Sequence, residues 1–417
     1  MAKELAHFKN FAKLKDTKVA FNDITVIAGK PGTGKSYVMK FQYAYNETAS
    51  AIISGKSKMH YALMDGQEHE QMMLNLFKNA INSNSEFNMS SINEMIDNNN
   101  YIEALKLLQK DKHLIEESFQ DKSSSSLFDS YIDSIQKFAN RQNKSLEATE
   151  EEKFHFIFRN ILESIFTSID QIDTDFLYKN NKLEINYSDN ELKLIKLNIQ
   201  ESCENAIFVE TPLIIEFEKF LPSERFKTPY HIDSLLQELN KKDFSFTSDE
   251  TSNFINEFKK STQKIVNGNI SKGTHGFSFE SDNGKTYDIV NASSGTKSIG
   301  LLQYLVSNKA LKKGSVLYWE EPEVHLHPEW QLKMIELFIE LMNAGVKIVF
   351  STHSTFMVDS LNALSKKEDF SNRVSFNLFK ETDGIVENHI LEADEEWKLI
   401  QDELLKSSLE EIMWQYL

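Results

Sequence analysis

Cysteine is all but absent from this chain. Cys203 is the only one in 417 residues, so no disulfide can close within the chain, and a reducing compartment is expected. Long apolar runs are absent too. No stretch approaches the ~20 residues that a membrane-spanning helix needs. The opening Met1-Ala2-Lys3-Glu4-Leu5-Ala6-His7 leads into no signal-type apolar segment. The expectation is a cytoplasmic protein with no membrane partner. Positive charge is in deficit: 46 Lys and Arg stand against 63 Asp and Glu, a net charge of −17. Wholesale wrapping of nucleic acid needs a basic surface and is disfavoured, while a local basic groove for nucleic acid stays open. No segment repeats and no heptads are sustained, which argues against a solenoid or a long coiled coil. Glycine is scarce, at 14 residues, so a cluster of glycines marks a place where the backbone must turn unusually.

What is present has ordinary globular composition, over a length that suits one large domain with insertions or two domains. Residues 6–28 read as short strands, the last being the apolar run Asp23-Ile24-Thr25-Val26-Ile27-Ala28, which stops at glycine. Residues 36–54 read as a helix, with Val38, Phe41, Tyr45 and Ala49 at helical spacing. From about 58 to 170 helical patterns dominate, over 101–120 and 150–172. In the second, Phe154, Phe158, Ile161, Leu162, Ile165 and Ile169 line one face. Asn98-Asn99-Asn100 and Ser123-Ser124-Ser125-Ser126 read as polar breaks. A hairpin is predicted from 183–187 and 192–197 about Ser188-Asp189-Asn190, then helices near 231–241 and 249–266. From 276 onward strands and helices alternate. Residues 316–319 and 346–350 are near-continuous apolar runs, the mark of parallel strands buried on both faces. The expected fold class is α/β, a P-loop NTPase with a mixed or parallel sheet. Its core is expected from residues 1–57 and 270–417, with 58–269 a mostly helical insertion carrying a small antiparallel element near 174–200.

Gly29-Lys30-Pro31-Gly32-Thr33-Gly34-Lys35-Ser36 follows a strand, opens a helix and matches G-x-x-x-x-G-K-[ST] in full. Three of the 14 glycines lie here, letting backbone N–H groups turn inward around phosphates. Lys35 supplies charge to the β- and γ-phosphates, Ser36 a hydroxyl to Mg2+, and the following helix its positive end. ATP and Mg2+ are the expected cofactors. Val316-Leu317-Tyr318-Trp319-Glu320-Glu321-Pro322-Glu323 resembles a Walker B strand. Glu320 is expected to hold the metal and Glu321 to orient or deprotonate the attacking water. Ile348-Val349-Phe350-Ser351-Thr352-His353-Ser354 runs a strand into His353, expected at the γ-phosphate or the lytic water. Glu323, His325 and His327 alternate along a loop. Alternate loop residues rarely close a metal site without a fourth ligand, so an interface role or capping of the helix begun by Pro328 is the preferred reading.

Ser293-Ser294-Gly295-Thr296-Lys297, opening a helix expected over 298–311, resembles the ABC signature. The order of P-loop, long insertion, this signature, Glu-Glu-Pro-Glu-Val-His-Leu-His-Pro and Ser-Thr-His-Ser is similar to the SMC/RecF/OLD-like ABC-type ATPases. More narrowly it resembles the AAA15/AAA21 group, whose members include ATPase subunits of bacterial anti-phage systems such as Septu and PARIS. The resemblance covers residues 6–57 and 276–391, with Phe208-Val209-Glu210-Thr211-Pro212-Leu213-Ile214 an echo in between. It implies that Ser294 and Gly295 bind the γ-phosphate held by a partner subunit. It also implies a homo-oligomer, at least a dimer, with composite ATP sites, and a role in defence through a separate effector. Beyond His353 the sequence leaves room for two strands and one helix, so an HNH or Toprim-type nuclease is expected on another protein. Two features depart from the pattern: Glu320 stands where most relatives carry aspartate, and only Gln67, by its distance from the P-loop, suggests a Q-loop glutamine. Two other classes stay open, a RecF/SMC-like DNA repair ATPase and an ATP-holding scaffold with little turnover.

Overall fold

The computed structural model describes residues 3–54, 78, 89–97, 100–117, 122–166, 175–189, 191–199, 203–218, 228–241, 249–273, 276–391 and 397–406. The chain divides into two compact units, residues 1–50 with 161–417, and residues 51–160. Gln67 lies outside the described residues.

An eleven-stranded sheet carries the larger unit. Its strands are β1 (Glu4–Phe11), β2 (Leu14–Phe21), β3 (Ile24–Gly29), β4 (Phe176–Lys179), β5 (Leu183–Ser188), β6 (Glu191–Leu197) and β7 (Ala206–Val209). A separate three-stranded sheet follows, β8 (Gly268–Gly273), β9 (Gly276–Ser281) and β10 (Thr286–Asp288). The large sheet then resumes with β11 (Val316–Glu320), β12 (Lys347–Thr352), β13 (Val374–Thr382) and β14 (Ile385–Leu391). Its order is β6-β5-β4-β1-β2-β14-β13-β3-β12-β11-β7.

The two halves of that sheet follow from two hydrophobic patterns. β13, β3, β12, β11 and β7 pair in parallel. β3 and β7 are buried along their whole length, as strands covered on both faces must be. In the other half β5 alternates buried and half-buried residues, the period of a strand with one packed face. The predicted hairpin is present as β5 and β6, paired antiparallel from Leu183–Leu197 to Ser188–Glu191.

Helix α1 (Lys35–Ile53) follows the P-loop and buries Val38, Phe41, Tyr45 and Ala49. In the smaller unit, α2 (Ser90–Asp97), α3 (Tyr101–Glu117) and α4 (Lys122–Glu147) enclose a core in which Tyr101 stacks on Phe138 at 4.8 Å. The serine tract 123–126 was expected as a break, yet it lies within α4. The helical period of Phe128, Tyr131, Ile135 and Phe138 carries the helix back through it, and serine is tolerated near a helix start. Next comes α5 (Glu150–Phe166), opened by a reciprocal cap: Thr149 N–H donates to Glu152, and Glu152 N–H to the Thr149 hydroxyl.

The larger unit then adds α6 (Ile214–Phe217), α7 (Tyr230–Asn240), α8 (Asp249–Val266), α9 (Ser294–Ser307), α10 (Pro328–Asn343) and α11 (Thr355–Lys367). The expected insertion over 58–269 thus encloses four strands of the main sheet: β4 to β6 extend one side, and β7 forms the far edge beside β11. Burial, not chain continuity, decides this, because β7 reads Ala-Ile-Phe-Val and needs cover on both faces. Helix α9 lies so close to β8 that a Cβ on Gly300 would sit 2.0 Å from Ile270 Cδ1, so glycine sets the approach.

Trp319, Phe338 and Phe350 meet between β11, β12 and α10, all buried, with ring centroids 6.2 and 5.4 Å apart. Phe338→Ala is expected to destabilise the larger unit by about 3–5 kcal/mol through lost burial and the cavity left behind. Urea unfolding followed by circular dichroism measures it, and a loss under about 1 kcal/mol would mean the site refills by repacking.

Candidate active site

In an open parallel sheet, groups at the carboxyl ends of the strands gather along one edge. Here β3 delivers the glycine-rich loop, β12 delivers His353, β11 delivers Glu320 and Glu321, and β7 delivers Glu210. The four strands are neighbours, so residues spread over more than 300 positions meet in one place.

The loop works only with glycine. Gly32 and Gly34 have φ of +77° and +86°, and Gly29 has φ +153° with the Phe379 carbonyl 2.5 Å from where a Cβ would stand. Thr33 Oγ1 donates to the Lys30 carbonyl at 2.9 Å and closes the turn, and Pro31 lies between its ends. Lys35 is 5% exposed. Its Nζ donates to the carbonyls of Gly29 at 2.9 Å and Lys30 at 2.8 Å and lies 3.2 Å from His353 Nε2. No carboxylate among the described residues reaches salt-bridge distance of it. Burial lowers its pKa to about 8 against the pull of Glu321, Glu323 and Glu320. A buried cation on neutral partners, in a loop shaped by three glycines, fits a polyphosphate anion. Lys30 points elsewhere, 3.4 Å from Glu403 near the C-terminal end of the described chain.

At the end of β11 the two carboxylates differ. Glu320 is largely buried beside the Ser36 hydroxyl, its Oε1 has no hydrogen-bond partner, and burial raises its pKa to about 7. An orphaned carboxylate oxygen next to a hydroxyl is a donor set of the kind that Mg2+ takes. Glu321 has φ +46°, a left-handed conformation uncommon outside glycine. Its N–H donates to the Ser351 carbonyl at 3.1 Å, and its Oε1 stands 3.1 Å from His353 Nε2. His353 is pulled toward the neutral form by burial and by the Lys35 charge. Glu323 Oε1 accepts from Thr352 Oγ1 at 2.7 Å and from the His353 N–H at 2.8 Å, fixing the end of β12, and burial raises its pKa. It braces the histidine. No cluster of three or more His, Cys, Asp or Glu among the described residues has the spacing for a metal, and His327 Nδ1 caps α10 through the Glu329 N–H.

Ser294 and Gly295 are not brought to the loop. The helix starts at Ser294, four residues earlier than the expected 298, because Ser293 caps it by accepting from the Thr296 N–H at 3.2 Å. Gly295 packs under Trp330, where a Cβ would stand 2.9 Å from the ring. Neither residue forms a hydrogen bond with the P-loop among the described residues.

Sequence reasoning missed three residues at this edge. Glu210 accepts from Lys40 Nζ at 3.2 Å and from His231 Nε2 at 2.6 Å. The His231 bond lowers its pKa to about 2. His231 is 1% exposed, and burial lowers its pKa against the pull of the Glu210 hydrogen bond. The sequence singled out Phe208-Val209-Glu210-Thr211-Pro212-Leu213-Ile214 only as an echo of the family pattern, with nothing to give Glu210 a role or to place it beside β11.

The Lys35 pKa sets a pH expectation. A bound polyphosphate favours the ammonium form, so it raises that pKa. Affinity is then full below about pH 7 and falls as pH rises through about 8, by up to tenfold per unit. Calorimetric titration with triphosphate from pH 6.5 to 9.5 tests this, and a flat profile would remove Lys35 from the anion site.

Among the described residues no helix is long and apolar enough to cross a membrane. Comparison with known proteins gives one family, AAA_15, the AAA ATPase domain, matched over residues 6–358. No curated protein matches the chain. Among solved structures, an SMC head domain from Thermotoga maritima aligns at TM-score 0.41 and 8% identity over 94% of this chain and 100% of that one. An Smc head bound to the C-winged helix domain of ScpA aligns at 0.43 and 13%, over 95% and 100%. An Smc head with an extended coiled coil, bound to the C-terminal domain of ScpA and derived from Pyrococcus furiosus, gives 0.37 and 10%, over 96% and 99%. The family match runs from β1 through the P-loop, both β11 carboxylates and His353, and the chain belongs to the AAA_15 family of AAA ATPase domains.

Proposed function

We propose that this chain is the ATP-binding and ATP-hydrolysing subunit of an anti-phage defence complex, controlling a separate nuclease or toxin protein through nucleotide-dependent oligomerisation. The observation that carries the ATPase part is Lys35, buried with no carboxylate in salt-bridge contact in a glycine loop that faces Glu320, Glu321 and His353. The defence part is supported by the order of the motifs, which resembles that of anti-phage ATPase subunits.

Gly29 to Ser36 hold the phosphates of ATP, with Lys35 on the β- and γ-phosphates. Ser36 and Glu320 would hold Mg2+, which supplies positive charge to the phosphate oxygens. Glu321 takes the proton of the attacking water, and neutral His353 beside it hydrogen-bonds the γ-phosphate or that water. A holding protein with little turnover is the second reading, favoured by Glu320 standing where the resemblance leads one to expect aspartate.

Composite sites are supported by two features. Ser294 and Gly295 have no role at the P-loop of their own chain. Val290, Val324 and Phe356 are each over 40% exposed and flank the signature, the Glu323–His327 loop and His353. Apolar groups left in water beside these motifs suit a self-association face. The charge of −17 per chain opposes association, so bound MgATP would stabilise the assembly through the contacts it makes to both chains.

Glu321→Gln keeps the shape of the side chain but takes no proton. Phosphate release is expected to fall by roughly 10²–10⁴-fold with nucleotide affinity kept. Unchanged turnover would take the base role from Glu321, and negligible turnover in the parent protein would support the holding protein.

Mixing Lys35→Ala with Ser294→Arg tests the composite site. A mixed dimer concentrates both defects in one site and leaves the other intact. With half the dimers mixed and half their sites intact, about a quarter of wild-type activity returns. Full activity of Ser294→Arg alone, or no recovery once subunit exchange is shown by fluorescence transfer, would overturn it.

A further inference from the structure

Sheet register brings a second element to the P-loop. β13 pairs in parallel with β3, Phe376 opposite Val26 and Phe379 opposite Gly29. Beyond β14 the chain returns to this strand as α12 (Trp397–Gln401), continued by one π-helical turn, Asp402–Lys406. Trp397 stands edge-on to Phe376, with ring centroids 4.7 Å apart. Ile400 is buried, and Leu404 packs against the same core. Positions 397, 400 and 404 recur at helical spacing, so the segment turns one apolar face inward. From Trp397 to Glu403 six residues of helix advance about 9 Å. From Phe376 to Phe379 three residues of strand advance about 10 Å. The segment thus runs alongside β13 to the level of Gly29, where Glu403 Oε1 lies 3.4 Å from Lys30 Nζ.

Lys30 belongs to both systems. Its carbonyl accepts from Lys35 Nζ at 2.8 Å and from Thr33 Oγ1 at 2.9 Å, while its ammonium is drawn outward to the largely buried Glu403. A second lysine at the loop is occupied in the same way. Lys13 Nζ lies 3.9 Å from where a Cβ on Gly32 would stand, and it pairs with Glu381 at 2.9 Å. The two carboxylates differ in what carries them: Glu381 is part of a strand of the main sheet, Glu403 of a short helical segment outside it. A triphosphate in the loop would bring several negative charges beside Lys30. It would compete with Glu403 for the ammonium and repel the carboxylate. Ion pairs with a solvent-exposed partner hold weakly, so such an anion can displace this one.

We propose that Trp397–Lys406 is an autoinhibitory latch on the nucleotide loop: docked through Glu403 it opposes ATP, and ATP releases it. The proposal rests on the ATPase reading above, in which Gly29 to Ser36 hold the phosphates. Opposition and release are one coupling, so they are equal in size. The latch turns the state of the nucleotide site into the position of a segment that a partner can read.

Two measurements on the full-length chain test it, both with a non-hydrolysable ATP analogue and Mg2+. Calorimetry gives affinity, and amide hydrogen exchange read by mass spectrometry gives the opening of 397–406. Glu403→Gln keeps the shape and removes the charge. It is expected to tighten binding of the analogue by about fivefold or more, the lower end for linked sites, and to speed exchange over 397–406 without nucleotide. In the wild type, saturating analogue is expected to speed exchange over 397–406 by a comparable factor. Glu381→Gln controls for charge alone, since it removes a carboxylate near the loop and leaves exchange over 397–406 unchanged. Faster exchange in that variant too would assign the effect to general electrostatics and overturn the latch. Equal affinity in Glu403→Gln and wild type would also overturn it, as would exchange that stays level or slows when the wild type binds the analogue. Either result leaves the ATP site standing. If Glu403→Gln does not fold, the wild-type exchange measurement decides alone. A wild type that binds no analogue would remove the ATP reading, and the latch with it.

Discussion

A single unbalanced charge organises the larger unit of this ATPase. The Lys35 ammonium is buried and touches only carbonyl oxygens and an imidazole nitrogen. Taking a cation out of water without a paired anion is unfavourable, and the fall of its pKa to about 8 is the mark of that cost. The position is held because four parallel strands converge on it and the loop around it tolerates nothing but glycine at its turns.

The carboxylates around Lys35 show the same unrelieved state. Glu320 and Glu323 are both pushed toward protonation by burial, and each keeps one buried oxygen without a partner. Glu321 carries the backbone strain, at φ +46°. Orphaned oxygens and left-handed backbone cost stability. They persist where the surrounding sheet over-determines them, and here that sheet is made of β3, β12, β11 and β7. The strain and the desolvation fall on the carboxylates that follow β11, beside the glycine-rich loop.

Away from the strand ends, the signature helix belongs to a different neighbourhood. Lys297 of α9 forms a buried pair with Glu216 of α6 and donates to the Val290 carbonyl at 3.1 Å. Gln303 of the same helix accepts from the Ile270 N–H on β8 at 2.8 Å and donates to Thr262 on α8. These contacts bind α9 to the small sheet and to the segment that leaves β7, and at its start Ser294 is half-buried and Gly295 is buried under Trp330.

The P-loop was legible from the residues alone, because its chemistry is local: eight consecutive positions, a strand before them and a helix after. The same holds for the hairpin of β5 and β6, whose alternation and turn lie within a few residues. Apolar runs at 316–319 and 346–350 identified parallel strands, since burial on both faces leaves no polar positions. The sequence did not show that β7 lies beside β11, that the serine tract of 123–126 continues a helix, or that Glu210, Lys40 and His231 meet near Glu320. Those positions are separated by up to 280 residues. Side-chain periodicity reports which face of an element is buried, over distances of two to four residues. Which buried face meets which is settled only when the whole core closes, and that closure placed Glu210, just beyond β7, beside the end of β11.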